Sequence, residues 1–273
     1  MTVVADLHVH TTNSDGTLAL EGLPTAAGRA NLEAVAVMDH DRYHPGLSAP
    51  VSTLDGVLVV HGIELRVETA TQRVDLLGYG VDPTPALDDE VERLQRDRIE
   101  RGAAIVERVE DRLGVDLGVE ARAGLGRPHI ARGIAEHPET GYDVQGAFDE
   151  LIGDGRPCYV PRDVPDFETG RDLLADACAF VGLAHPLRYP DPAAALDLTP
   201  ELEAVERWYP YDRPVDPAAA EAGEGGLEAV DRVIADHDLL PTGGSDAHDE
   251  ELGGVGLDAD AFERVRTRLP APA

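Results

Sequence analysis

The chain has 273 residues, of which 42% are hydrophobic and 4% aromatic, so its core must be built mainly from aliphatic side chains. It carries 53 acidic residues against 23 lysines and arginines, a formal net charge of −30, and all 23 are arginine. This charge excludes a broad, non-specific nucleic-acid surface, because such surfaces neutralise phosphates with clustered basic side chains.

The acidic residues are spread along the whole chain, between apolar segments, rather than collected in a tail. We interpret this pattern as adaptation to concentrated salt, where a Debye length of about 3 Å at 1 M screens self-repulsion; codon bias in a GC-rich gene is the alternative. Cys158 and Cys178 lack the spacing of a metal site and are expected to be reduced thiols. Since neither a signal peptide nor a membrane span is evident, we expect a soluble, cytoplasmic protein of a salt-in halophile.

In chain order, short apolar runs predict strands that are buried on both faces, as in a parallel sheet. The predicted strands are residues 3–9, 34–38, 57–63, 74–79, 180–184, 204–209 (the weakest candidate) and 239–243. Helical patterns at 20–30, 170–179 and 217–237 each precede a strand. This alternation of strand and helix predicts an α/β fold with a parallel sheet.

Residues 82–165 interrupt the alternation. Apolar residues recur at helical spacing between Leu87 and Leu113, which predicts one long amphipathic helix or two shorter ones. Two further helical segments, 128–136 and 144–152, follow without an evident strand between them. We therefore predict a helical insertion, or cap, at 82–165 within a barrel formed by residues 1–81 and 166–273.

Almost every predicted strand carries a histidine or a carboxylate near its end. His8 and His10 end the first strand at i, i+2 spacing, so both imidazoles can face one point. The other candidates are Asp39, His40, Glu64, Asp75, His185, Asp246 and His248. Since the carboxyl ends of barrel strands surround one mouth, we expect these side chains to meet there. Such a cluster needs compensating positive charge, and its size predicts two or three divalent cations.

The ordered set of motifs resembles the polymerase and histidinol phosphatase (PHP) family of metal-dependent phosphoesterases. The matching segments are DLHVHTTNSDG, AVMDHD, GIEL, GRPHIAR, AHPLRY and GSDAH. The resemblance implies a distorted (β/α)7 TIM-like barrel with a trinuclear metal centre. By motif match, the implied ligands are His8, His10, Asp15, His40, Glu64, His185, Asp246 and His248.

Asp75 departs from the family pattern, because many relatives have a histidine at this position. An aspartate could replace it as an oxygen ligand and would favour harder metals such as Mn²⁺. The alternative is that Asp75 does not ligate. We favour ligation, and we expect two or three ions that are Mn²⁺, with Zn²⁺ or Fe²⁺ as alternatives.

The helical insertion indicates the substrate. GRPHIAR resembles the segment that lines the substrate pocket in PHP phosphoesterases with a small helical insertion, which act on nucleoside 3′,5′-bisphosphates and on the 5′ ends of short oligonucleotides. Arg127, His129 and Arg132 would then bind phosphate, with Arg188 on the barrel side, because guanidinium groups can grip phosphate with two hydrogen bonds. We expect hydrolysis by water that the ions activate, with His185 or His129 assisting the leaving group.

The leading hypothesis is therefore a bisphosphonucleotide phosphatase or a 5′–3′ exonuclease on short oligonucleotides, with no obligate protein partner. Histidinol phosphatase is the nearest alternative, but the insertion favours a larger ligand. A non-catalytic accessory PHP domain is disfavoured by the nearly complete ligand set, and hydrolysis of a C–N bond by the arginines. A serine hydrolase elbow and a phosphate-binding P-loop are excluded, since GxSxG is absent and the P-loop requires lysine.

Overall fold

The computed structural model describes residues 2–122, 125–211 and 226–273. The strands are β1 (Ala5–Val9), β2 (Ala34–Val37), β3 (Val51–Leu54), β4 (Val57–Glu68), β5 (Arg73–Tyr79), β6 (Phe180–Leu183), β7 (Ala204–Trp208) and β8 (Leu240–Gly243). The α-helices are α1 (Leu23–Arg29), α2 (Pro85–Leu113), α3 (Arg127–Glu136), α4 (Val144–Ala147), α5 (Phe167–Ala177), α6 (Pro192–Leu196), α7 (Gly226–His237) and α8 (Ala259–Arg266). Short 3-10 helices cover Leu20–Gly22, Pro186–Arg188 and Thr199–Glu201, and a π-helical turn covers Phe148–Ile152.

Seven strands form the wall of a nearly closed barrel in the order β1–β2–β4–β5–β6–β7–β8. A parallel bridge between Val9 and Ala247 brings the segment after β8 back beside β1. The predicted TIM-like barrel is therefore confirmed. The helix predicted at 217–237 is observed as α7, while residues 217–225 lie outside the described residues.

The prediction of a purely parallel sheet is wrong at β5, which runs antiparallel to both β4 and β6. A parallel connection needs a crossover of about a dozen residues. Only residues 69–72 join β4 to β5, and they close a tight turn in which Thr69 N–H donates to the Gln72 carbonyl at 2.9 Å. The antiparallel strand β3, which pairs with β4, was not predicted because it is a run of only four residues, of which one is buried and one is exposed.

Alternation along β2 shows how the barrel wall is packed. Ala34 and Ala36 face one hydrophobic cluster, which contains Leu7, Tyr79 and Phe180. The intervening Val35 and Val37 face a second cluster, which contains Leu23 and Ala27 of α1. Since successive strand residues point to opposite faces, a strand that packs on both faces must be apolar throughout. This is why the uninterrupted run at 34–38 predicted the strand.

The chain divides into two compact units, residues 1–88 with 165–273, and residues 89–164. The first unit contains the barrel. The second is helical, and its own core packs Ile105 and Val109 of α2 against Ile130 of α3 and Leu151 of the π-helical turn. In the described part of the chain, none of the helices combines the length and the apolar character needed to cross a membrane.

Gly244 directly follows β8 and lies close to β1, so a substitution at this position tests how tightly the first and last strands of the barrel approach each other. A Cβ atom at this position would lie 2.3 Å from the backbone nitrogen of His8 and 2.7 Å from Oδ1 of Asp6. Since β1 and the loop must separate to admit it, we expect Gly244→Ala to lower the free energy of unfolding by about 1–3 kcal/mol. Gly254→Ala is the matched control, because a Cβ there meets nothing within 4 Å. Denaturant unfolding measures both, and equal free energies for the two variants would contradict this packing.

Candidate metal centre

Histidine and carboxylate side chains on β1, β4 and β5, and in the segments that follow β1, β2, β6 and β8, converge at one end of the barrel. They form three groups in which the candidate ligand atoms lie within 4.8 Å of one another. The groups are His10, Asp15, His40 and His248; His8, His10 and Asp246; and Glu64, Asp75 and His185. The structure thus brings together all nine candidate ligands, and their ligation stays a prediction.

Glu64 lies at the middle of the cluster and is 1% exposed. Its Oε2 lies 2.7 Å from Nδ1 of His40, 3.4 Å from Nε2 of His10 and 3.5 Å from Nε2 of His8. Its Oε1 lies 2.9 Å from Nε2 of His185. Burial opposes ionisation, but the imidazoles of His40 and His8 and the hydrogen bond with His185 hold the pKa of Glu64 well below its usual value.

Two further carboxylates of the cluster, Asp246 and Asp15, each face a pair of imidazoles. Oδ1 of Asp246 lies 3.0 Å from Nε2 of His10 and 3.7 Å from Nε2 of His8. Asp15 lies 3.4 Å from Nε2 of His248 through Oδ1 and 3.7 Å from Nε2 of His40 through Oδ2. Although the low exposure of both carboxylates opposes their ionisation, the histidines lower the pKa of each, so both are ionised at neutral pH.

The imidazole of His10 is crowded by two others, which disfavours its charged form. The ring of His10 stacks on that of His248 at 4.2 Å and lies 4.4 Å from that of His40. Burial and the charge of His40 lower the pKa of His10, whereas for His8 the charges of Glu206 and Glu64 overcome burial and raise the pKa. The cluster therefore contains neutral histidine, the form that binds metals.

Several ring nitrogens in this cluster have no hydrogen bond although they are buried. Nε2 of His8 and both ring nitrogens of His10 are examples. A buried polar atom without a partner costs about 1–3 kcal/mol. Since imidazole nitrogens and carboxylate oxygens are also the donor set that transition metals prefer, the residues present fit a divalent metal centre.

Three buried carboxylates outside the predicted ligand set hold the segments that carry the candidate ligands. Asp39 accepts hydrogen bonds from the backbone and hydroxyl of Thr11, both at 2.8 Å, and from the hydroxyl of Ser14 at 2.8 Å, in the loop that carries Asp15. Asp6 accepts from the backbone of Ser245 at 2.9 Å and from its hydroxyl at 2.6 Å, in the loop that carries Asp246.

The third of these carboxylates, Glu206 on β7, is fully buried and contacts two candidate ligands. Its Oε1 lies 3.0 Å from Nδ1 of His8, and its Oε2 accepts from the backbone N–H of His185 at 2.8 Å. His185 has a φ of 26°, a left-handed conformation that is costly for a residue other than glycine. The only signal for Glu206 in the sequence was its place on the weakest predicted strand.

Arg66 and Tyr189 surround Asp75. The guanidinium of Arg66 donates from Nε to Oδ1 of Asp75 at 2.7 Å and from Nη2 to Oδ2 at 2.5 Å. The backbone N–H of Asp75 donates to the hydroxyl oxygen of Tyr189 at 2.7 Å. Asp75 therefore belongs both to an ion pair and to the third of the candidate groups.

The predicted phosphate-binding residues divide between the two units. Arg188 lies in the barrel unit and donates to the hydroxyl of Tyr209 at 2.5 Å, and that hydroxyl donates to Oδ2 of Asp246 at 2.7 Å. Arg127, His129 and Arg132 lie on α3 of the helical unit. Arg127 donates to Asp154 at 2.7 Å, Nδ1 of His129 accepts from Gly126 N–H at 3.1 Å, and Arg132 is exposed.

Glu206 generates a testable prediction about metal binding. Glu206→Gln keeps one acceptor oxygen for His185, but its amide NH₂ then faces Nδ1 of His8 and moves the imidazole proton to Nε2, which points into the cluster. We expect Mn²⁺ affinity to fall about 10–100-fold while the fold is kept. Calorimetric titration of the metal-free protein measures the affinity, and ¹⁵N NMR reports the His8 tautomer.

The matched control is Glu203→Gln, since Glu203 is exposed and accepts from the backbone of Val181 at 2.8 Å. Unchanged affinity and an unchanged tautomer in Glu206→Gln would contradict the positioning role.

Comparison with known proteins gives relatives of one chemical type, although no family model matches the chain. A 5′-3′ exoribonuclease from Haemophilus influenzae is 26% identical over 69% of this chain and 71% of its own length. A 3′,5′-nucleoside bisphosphate phosphatase from Chromobacterium violaceum is 28% identical over 67% of each chain. A phosphoribosyl 1,2-cyclic phosphate 1,2-diphosphodiesterase from Eggerthella lenta is 28% identical over 90% of this chain and 94% of its own length.

Two solved structures share the fold along nearly the whole chain. A protein from Bifidobacterium adolescentis described as a metal-dependent phosphoesterase superposes with a TM-score of 0.73 at 23% identity, covering 98% of this chain and 96% of its own. An amidohydrolase from Chromobacterium violaceum gives a TM-score of 0.73 at 21% identity, covering 99% of this chain and 98% of its own. In sequence, this chain is therefore similar to enzymes that hydrolyse phosphate esters, and it shares its fold with a protein described as a metal-dependent phosphoesterase and with an amidohydrolase.

Proposed function

We propose that this chain is a metal-dependent hydrolase of phosphate esters in nucleotides. The observation that carries the proposal is the convergence of buried imidazole nitrogens and carboxylate oxygens in three groups, several of them without any hydrogen bond. Nucleotides are the proposed substrate class because two relatives are named for nucleotide or RNA substrates.

Divalent cations would be held by imidazole and carboxylate groups of the cluster. The proposed ligands are His8, His10, Asp15, His40, Glu64, His185, Asp246 and His248. Mixed nitrogen and oxygen donors suit Mn²⁺, Zn²⁺ or Fe²⁺, and we favour Mn²⁺ for the share of carboxylates. Bound ions would polarise the phosphoryl group, neutralise the charge that develops in the transition state and lower the pKa of water.

The chain's own groups would bind phosphate and supply a proton. Arg188 is exposed and linked through Tyr209 to Asp246, which suits a contact with a phosphate beside the centre. Arg127, His129 and Arg132 would bind a second phosphate in the helical unit, which we propose acts as a cap. His185 or His129 would protonate the leaving oxygen; burial disfavours the charged form of His185, but its hydrogen bond and charge interaction with Glu64 raise its pKa.

A cyclic phosphodiester is a second candidate substrate. The relative from Eggerthella lenta matches 90% of this chain, against 69% and 67% for the two relatives named for nucleotides or RNA. The same centre could open a cyclic phosphodiester, because attack on phosphorus needs the same charge neutralisation whether the leaving oxygen is on the same molecule or not.

A product assay tests the proposed function. With Mn²⁺ and concentrated KCl, we expect hydrolysis of adenosine 3′,5′-bisphosphate or of a short 5′-phosphorylated RNA, measured by released phosphate or mononucleotide. Phosphoribosyl 1,2-cyclic phosphate and histidinol phosphate are tested beside them. Hydrolysis of histidinol phosphate alone would contradict the nucleotide proposal, and hydrolysis of none by metal-loaded protein would favour an accessory domain.

His8→Ala is the loss-of-function control for this assay, since it removes a buried nitrogen from the centre, and we expect at least a 100-fold loss of rate. His237→Ala, at an exposed position near the end of α7, should leave the rate unchanged.

We propose further that the net charge of −30 reflects a cytoplasm with concentrated salt. At low ionic strength the carboxylates repel one another across the surface, and salt shortens the range of that repulsion to a few ångström. We therefore expect the free energy of unfolding to rise steeply with KCl concentration. Urea unfolding, which adds no ions of its own, measures this. An unchanged free energy between dilute and concentrated KCl would leave codon bias as the explanation.

A further inference from the structure

We propose that the ion pair between Arg66 and Asp75 takes the place of one cation, so that the centre binds two divalent ions rather than three. This inference rests on the proposed metal-dependent function and specifies it. It concerns the third candidate group, Glu64, Asp75 and His185, and it replaces the expectation that Asp75 and His185 ligate a metal ion there.

Strand pairing makes the contact between Arg66 and Asp75. The two residues stand directly opposite each other in the antiparallel pair β4–β5. Side chains of directly opposed residues lie on the same face of a sheet, and residues at i and i+2 of one strand share a face as well. Arg66 therefore projects on the same face of the sheet as Glu64 and Asp75. This places its guanidinium beside the third candidate group.

The guanidinium engages both oxygens of Asp75. The hydrogen bonds are 2.7 Å from Nε to Oδ1 and 2.5 Å from Nη2 to Oδ2, the two-fold geometry that arginine forms with carboxylates. Asp75 is 1% exposed, so water does not compete for these oxygens. Its unit negative charge is thus already matched by a fixed positive charge.

The backbone of Asp75 is held by hydrogen bonds on both sides. The N–H of Asp75 donates to the hydroxyl of Tyr189 at 2.7 Å, and its carbonyl accepts from the N–H of Ala184 at 3.0 Å. Oδ2 of Asp75 lies 3.8 Å from Nε2 of His185, whereas Oε1 of Glu64 lies 2.9 Å from the same nitrogen. His185 therefore pairs with Glu64, and Asp75 with Arg66.

Charge distinguishes this group from the other two. Asp15 faces His40 and His248, and Asp246 faces His8 and His10, so in those groups the carboxylates meet imidazoles that become neutral ligands when a metal binds. Arginine cannot lose its proton in this way. A cation in the third group would stand beside a permanent positive charge, with a carboxylate that is already neutralised. Arg66 supplies there the positive charge that an ion supplies in the other groups.

The test counts metal ions rather than activity. The full chain is loaded with Mn²⁺ in concentrated KCl, freed of unbound metal and analysed by elemental mass spectrometry, and ion positions are located by anomalous diffraction from crystals of the same protein. We expect two ions per chain and no anomalous peak within about 2.2 Å of Asp75. Three ions, with one bound to Asp75, would overturn the inference and leave the proposed function standing. A chain that binds no ion would overturn the proposed function itself.

Substitutions of Arg66 and Asp75 test the number of bound metal ions independently. Arg66→Met removes the charge with little change in volume, and we expect a third ion in the group because Asp75 is released. Arg73→Met is the matched control, since Arg73 stands opposite Glu68 in the same strand pair, and it should keep two ions. Asp75→Asn should also keep two. Two results would contradict the exclusion of metal by Arg66. One is that Asp75→Asn binds one ion fewer than the unmodified chain, and the other is that a folded Arg66→Met variant still binds only two ions.

Discussion

Four imidazoles from three separate segments of the chain surround the carboxylate of Glu64. The oxygens of Glu64 lie 2.7 Å from His40, 2.9 Å from His185, 3.4 Å from His10 and 3.5 Å from His8, with 1% of the residue exposed. One carboxylate cannot compensate this many buried ring nitrogens, and several remain without a hydrogen bond. The barrel therefore brings together, at one end, groups whose burial is costly unless positive ions are shared among them. The rest of the site is arranged around that constraint.

A second set of carboxylates lies outside the group of candidate ligands. These carboxylates hold the segments of the chain that carry the candidate ligands. Asp6 lies on β1, and Asp39 lies two residues after the end of β2. Each accepts hydrogen bonds from a backbone N–H and a hydroxyl of a loop that carries a candidate ligand. Glu206 reaches from β7 to the ring of His8 and to the left-handed backbone of His185. Such partners fix the tautomer and direction of metal-binding side chains, so loops as well as strands become rigid parts of the site. The Arg66–Asp75 pair has a comparable role outside the proposed ligand set, because Arg66 places a fixed positive charge beside the third candidate group.

Much of the fold could be predicted because strands buried on both faces appear in the sequence as short, uninterrupted apolar runs. The run at 34–38 is apolar throughout, since β2 packs on both faces. The short runs that carry histidine or carboxylate predicted that His8, His10, His40, Glu64, Asp75, His185, Asp246 and His248 meet at one end of a barrel, whereas Asp15 was implied only by the family resemblance. The direction of β5 was predicted wrongly, because direction depends on the connection rather than on the strand. Residues 69–72 are too few for a crossover, and this turn was not recognised in the sequence.

By itself, the sequence determined which side chains of metal-binding type the chain carries, their spacing along each strand, and a net charge of −30. Those properties depend on residues close together in the chain, such as His8 and His10, whose shared direction follows from the two-residue period of a strand. Only the tertiary structure decided which of these groups meet. Glu206 contacts His8 across 198 positions, and Arg66 meets Asp75 through strand register. Such pairings follow from how strands align and where the chain returns, and these are determined by the packing of the whole barrel.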